Sequence, residues 1–146
     1  MAVKYIQKKN DLKINKDFYI GYSPERINPG DKKHQIENTS KILAIDTKNK
    51  NIVNKIKEVY RCITKKLVLS ESIENAETAK VIENIQRDLN IALMNDIFIF
   101  CKKMNYNYGN IIKLASSKWN FLKFDAVLVV GHCLHVDPYY LSYIAK

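Results

Sequence analysis

Ser72 to Tyr106 reads SIENAETAKVIENIQRDLNIALMNDIFIFCKKMNY. No Gly or Pro interrupts it, so nothing in the backbone stops a helix once one has started. Ser72 is a good N-cap, Glu74 and Glu77 suit the positive end of the helix dipole, and Lys102 and Lys103 suit the negative end. One long helix is predicted. Its second half, Ile91 to Phe100, is apolar on nearly every side. Such a helix is expected to be covered on several sides, by other helices or by a partner subunit.

Working outward, the upstream pattern is different. The run from Phe18 to Tyr22 predicts a short strand, ended by Pro24, Pro29 and Gly30. KILAIDT, Lys41 to Thr47, predicts a second, buried strand. Apolar residues at Ile52, Val53, Ile56, Val59, Tyr60 and Ile63 have helical spacing with a lysine-rich outer face. KLVLS, ending at Ser70, is again strand-like, and a further helix is expected over Tyr108 to Ser117. The fold class is therefore α/β plus all-α. Residues 1–70 form the end of an α/β domain and 71–146 a helical domain, each too small to be complete.

The chain has 146 residues, the length of one ordinary domain, and its formal net charge is +9. That charge invites a nucleic-acid partner. Against it, 21 of the 24 basic residues are Lys, and they are scattered rather than gathered in a stripe. A solvated surface is the better account, so no nucleic-acid partner is expected. No run is apolar enough to span a membrane and the first residues carry no secretory pattern, so neither a membrane nor export is expected. The three cysteines, Cys62, Cys101 and Cys133, are irregularly spaced. They suit a reducing, cytoplasmic setting rather than a disulfide framework.

Three features carry candidate chemistry. Lys80, Asn84, Arg87 and Asp88 share one face of the long helix. They form either a solvated stripe or a row of donors facing an anionic or oxyanion ligand, and spacing does not choose between the two. VVGHCLHVDPYYL, Val129 to Leu141, places Cys133 between His132 and His135 with Asp137 four residues on. A metal site is disfavoured, because only one ligand cluster exists and adjacent residues such as His132 and Cys133 converge poorly on one ion. Glu25 follows a strand end and a proline, where a loop can aim a carboxylate.

Three segments in register resolve the ambiguity. GYSPERINPGDK, AETAKVIENIQRDLNIALMND and GHCLHVDPYYL closely resemble the UDP-glucose/UDP-N-acetylhexosamine 6-dehydrogenase family of bacterial polysaccharide synthesis, and ASSKWNFLKF resembles the segment before its cysteine loop. The likeness is nearest to the branch acting on UDP-N-acetyl-glucosamine, -galactosamine or -mannosamine. It implies a four-electron oxidation of the sugar C6 alcohol to an acid with two NAD, through a cysteine thioester. Cys133 then corresponds to the nucleophile. Lys80 and Asn84 would stabilise the C6 oxyanion, Glu25 would activate or orient water, and Asp137 would order the site. Arg26, Ile27 and Arg87, with Lys80, Asn84 and Gly131, match positions contacting the UDP-sugar substrate. The long helix resembles the family's central dimerisation helix, so a homodimer or a complex of complementing fragments is expected. In fold, the resemblance implies the C-terminal remnant of a Rossmann-like domain followed by that central domain.

The departures are informative. The four glycines, Gly21, Gly30, Gly109 and Gly131, cannot build G-x-G-x-x-G, so the main NAD-binding motif is absent. The isolated chain is expected not to turn over. Before His132, the family's Pro-Gly and Gly-Gly pairs read Ala126-Val127 and Val130-Gly131. If a replaced glycine had a positive φ, valine there would be strained by on the order of 1–3 kcal/mol. The competing reading is a non-catalytic helical dimerisation module or a decaying remnant.

Overall fold

A computed structural model describes residues 11–28, 30–128 and 132–145, with the backbone alone at 132–135. The chain divides into two compact units, the first ending at Lys80 and the second beginning at Val81. The elements are β1 (Gly21–Tyr22), β2 (Lys41–Ile45), α1 (Lys50–Arg61), β3 (Leu67–Ser70), α2 (Ile73–Lys103), α3 (Tyr108–Ala115) and α4 (His132–Ile144). The architecture is mixed α/β. No helix among the described residues is long and apolar enough to cross a membrane.

The first unit is built on β2. It is the middle strand of a sheet ordered β1-β2-β3, antiparallel to β1 and parallel to β3. Parallel neighbours need a crossover, and α1 provides it, started by Asn49, whose side chain accepts from the N–H of Asn51 and Ile52. A middle strand is covered on both faces, so Leu43 and Ala44 are 1% and 0% exposed. Thr64 is buried too, and its hydroxyl donates to the Thr39 carbonyl and accepts from the Lys66 N–H, tying the two strand entrances together.

β1 is shorter than the expected Phe18–Tyr22. Phe18 instead makes an isolated bridge with Ile14, within a turn where Asn15 has a positive φ. Beyond Tyr22, Pro24 has no N–H for the ladder and pairing stops. Downstream, Asp31 closes a turn of its own. The N–H and ring of His34 and then the N–H of Lys33 hold its carboxyl down to about 2, against a small opposing effect of desolvation.

α2 begins where expected, with the Ser72 hydroxyl accepting from the Asn75 N–H. Its end is a Schellman motif: Tyr106 N–H reaches the Cys101 carbonyl, Asn105 N–H reaches Lys102, and Asn105 has φ 57°. Asn107 then caps α3 by accepting from Asn110 N–H, and Tyr108 meets Phe98 edge-on at 5.3 Å. Burial on α2 is confined to one side within this chain. Asn84, Ile91, Met94 and Cys101 are buried along one stripe, while Ile82, Leu89, Leu93 and Phe100 on the opposite side are exposed. Among the described residues, the buried positions of this longest helix lie on one face.

The segment read as a cysteine loop is also corrected. His132 to Ile144 is helical, with Pro138 inside. Proline at that position forfeits one helical hydrogen bond, to the Leu134 carbonyl, and the helix continues through it. Val127 has no positive φ, so the strain considered for it is absent. Val130 and Gly131 lie outside the described residues.

Replacing Leu43 by Ala should leave a cavity in the centre of the sheet. The expected loss is roughly 2–4 kcal/mol, read as a lowered urea midpoint with an unchanged slope for the first unit.

Candidate active site

The loop after β1 is organised by sheet register. Tyr22 pairs with Ala44 in the antiparallel ladder. Carried three and four residues further, that register sets Glu25 opposite Lys41 and Arg26 opposite Ser40. Both relations are realised by side chains after the backbone ladder has ended. Lys41 Nζ lies 3.3 Å from Glu25 Oε2, and Arg26 Nη1 donates to the Ser40 carbonyl at 2.9 Å. Glu25 Oε1 accepts from its own neighbours, the N–H groups of Arg26 and Ile27, at 2.8 and 2.9 Å.

Partial desolvation pushes the Glu25 carboxyl up. The Ile27 and Arg26 N–H groups and then Lys41 outweigh it and hold the carboxyl below its ordinary value. It is a carboxylate at neutral pH. The Glu25 side chain is 62% exposed while that of Lys41 is 11% exposed, so screening leaves the pair worth about 0–1 kcal/mol to stability. Arg26 and Ile27, which the resemblance places on substrate, are here the residues that fasten this loop.

The second cluster lies in the second unit. Asn84, on α2, is 9% exposed. That burial argues against a purely solvated stripe. Its Nδ2 donates to Asp137 Oδ2 at 2.5 Å, joining α2 to α4 across 53 residues of sequence. A buried amide donor facing a carboxylate is a charge-assisted bond, stronger than a neutral one. The amide has two N–H bonds, and Asp137 takes one. Lys80, half-buried, precedes Asn84 by one turn, and Arg87 follows at an exposed position. On α4, Cys133 is the second residue and Asp137 stands one turn later. Asn95 adds a further tie, donating to the Val127 carbonyl at 3.0 Å.

The structure thus brings Asn84 to Asp137, and Glu25 to Arg26, Ile27 and Lys41. Glu25, Arg26, Ile27 and Lys80 belong to the first unit, and Asn84, Arg87, Cys133 and Asp137 to the second. The Cys133 side chain and Gly131 lie outside what is described, as do the rings of His132 and His135 on which a metal reading depends. Sequence reasoning missed Lys41. Its only signal is the antiparallel register, which a two-residue strand does not announce.

Comparison with known proteins now gives a context. A family model described as UDP-glucose/GDP-mannose dehydrogenase family, central domain, matches residues 74–146. The chain is 49% identical over 143 residues to UDP-N-acetyl-D-glucosamine 6-dehydrogenase of Salmonella typhi, covering 97% of this chain and 33% of that protein. It is 45% identical over 146 residues to Protein CapL of Staphylococcus aureus, covering 99% and 34%. The solved UDP-D-ManNAc dehydrogenase of Pyrococcus horikoshii superposes with a TM-score of 0.83 at 30% identity, over 98% of this chain and 34% of its own. The chain therefore spans about a third of the length of the relatives it matches.

Asn84→Leu should strand the Asp137 carboxylate beside an apolar group and cost about 1–3 kcal/mol in urea unfolding. Asp137→Asn keeps an acceptor and should cost less. A double-mutant cycle of the two positions should return a coupling of about 0.5 kcal/mol or more. Strict additivity would show that the bond contributes nothing.

Proposed function

We propose a function from one premise: the chain belongs to the UDP-glucose/GDP-mannose dehydrogenase family. On this reading residues 1–70 are the C-terminal part of an NAD-binding domain and 71–146 most of the central domain. Together they carry the thiol-presenting part of a cytoplasmic UDP-sugar 6-dehydrogenase of polysaccharide biosynthesis. The reaction oxidises C6 of a UDP-N-acetylhexosamine to the uronic acid. The relatives acting on UDP-N-acetyl-D-glucosamine and UDP-D-ManNAc support that sugar class. The observation that carries the reading is the Asn84–Asp137 bond, which links two of the resembling segments through the very residues to which the resemblance gives roles.

NAD is the hydride acceptor in this family reading, and it supplies the two oxidations. The residues present do not fit a dinucleotide site. No G-x-G-x-x-G exists in the sequence, and no glycine-rich turn follows a strand of the described sheet. The hydride transfers are accordingly not assigned to residues of this chain. The remaining steps are.

Cys133 attacks the C6 aldehyde as thiolate. A carbon–sulfur bond forms and the carbonyl electron pair moves onto oxygen. The first turn of a helix, where Cys133 stands, is where the dipole favours an anion. Lys80 and the second N–H of Asn84 receive the oxyanion, and Asp137 keeps that amide in place. At the thioester stage Glu25 takes a proton from water as the water adds to the acyl carbon. The carbon–sulfur bond then breaks, releasing the acid and the thiolate. Arg26, Ile27, Arg87 and Gly131 are proposed to bind the nucleotide sugar. The uncovered apolar face of α2 is proposed to pair with a second copy of the chain.

Incubated alone with NAD and UDP-glucose or the three UDP-N-acetylhexosamines, the chain should form no NADH. Co-expressed with polypeptides that supply the parts of its relatives that it does not match, it should form two NADH per acid, and Cys133→Ser should abolish acid. Acid formation unaffected by that substitution would remove the nucleophile assignment. Inactivity in every mixture, with a folded dimer, would instead favour a non-catalytic dimerisation module.

Sedimentation equilibrium of the wild-type chain should give a dimer, and Leu93→Lys should shift it to monomer by placing a charge on the exposed apolar face. An unchanged mass would place the interface elsewhere.

A further inference from the structure

Lys41 is a buried lysine to which the family reading gives no role. It opens β2, is 9% exposed, and its ammonium is directed to Glu25 at 3.3 Å. A buried ammonium is costly unless paired, yet the pair adds little stability because Glu25 is largely in solvent. Placing a lysine there therefore calls for a reason other than stability.

Geometry provides one. A carboxylate that activates water must present one oxygen in a fixed direction. Oε1 of Glu25 is engaged by two backbone N–H groups, and among the described residues Oε2 receives Lys41 alone, which leaves a lone pair on Oε2. Among the described residues, Lys41 from β2 is the charged group that acts on the carboxylate, and the adjacent Arg26 donates its guanidinium to the Ser40 carbonyl. The sheet register that aligns Glu25 with Lys41 also aligns Arg26 with Ser40. The loop is thus fastened at two successive positions to the strand entrance, and Lys41 is the fastening that touches the candidate reacting group.

We propose that Lys41 is a positioning residue for Glu25, its buried ammonium holding Oε2 so that the carboxylate meets water on one defined side. This rests on Glu25 being the water-activating group, and the tests separate the two ideas. Carbon-detected NMR of the wild-type chain, Lys41→Met and Lys41→Arg reads the Glu25 titration directly, with the Arg26 and Ile27 amide protons as reporters. Methionine retains the apolar stem in its buried path, and circular dichroism confirms folding. Lys41→Met should move the Glu25 midpoint upward, toward the ordinary glutamate value, and Lys41→Arg should restore the wild-type midpoint. An unmoved midpoint in a folded Lys41→Met chain overturns the proposal.

In the complemented enzyme, Lys41→Met should slow acid release on the order of tenfold with KM unchanged, and Lys41→Arg should recover most of it. Full acid release by Lys41→Met, where Glu25→Gln has lost it, overturns the positioning role and leaves the Glu25 assignment standing. Full acid release by Glu25→Gln overturns the assignment itself, and the proposal with it.

Discussion

One continuous helical phase governs the arrangement of the candidate chemistry. α2 runs from Ile73 to Lys103 without a break, so each side chain's direction follows from its separation in steps of about 100°. Lys80, Asn84, Ile91 and Met94 fall along one line, and Ile82, Leu89, Leu93 and Phe100 along the opposite one. The first line holds the buried Asn84, Ile91 and Met94, and the second is exposed throughout. The same phase that buries the apolar seam therefore also turns Asn84 inward to Asp137. A single residue inserted between Asn84 and Ile91 would rotate the two apart by about 100°. Either the amide or the seam would then face the wrong way. The candidate site and the packing of this helix are consequences of the same uninterrupted register.

What could be read in advance follows from how local each signal is. α2 was legible almost to the residue, because its N-cap and its unbroken run are properties of neighbouring positions. Its C-terminus was less so. The stop comes from Asn105 in a left-handed conformation, and asparagine adopts that conformation only where the following chain turns back. β2, α1 and β3 were legible within a few residues for the same local reason. α4 was read as a loop through the resemblance, which places a cysteine loop there, and the segment contains Pro138. Yet a proline removes only one bond, and the rest of the helix persists around it. The residue types proposed for the site came from the resemblance, which gave no pairings between them. Glu25 with Lys41 and Asn84 with Asp137 are separated by 16 and 53 residues, and only strand register and helix packing bring them together.

These two pairs share a physical logic. In each, the buried member is a donor, Lys41 or Asn84, and the partner is a carboxylate at a more exposed position. Burying the donor would be unfavourable by itself, and the carboxylate satisfies it. Fixing the carboxylate from beneath also removes rotamers it would otherwise sample, while its outer side remains available. The net stability gained is small in the Glu25 pair, where solvent screens the charges. In that pair the ammonium orients the carboxylate, whereas in the other the carboxylate holds the Asn84 amide. A chain that retained only a dimerisation surface would need neither pair. Each pair lies within its own unit of the fold, and each ties together residues far apart in the sequence.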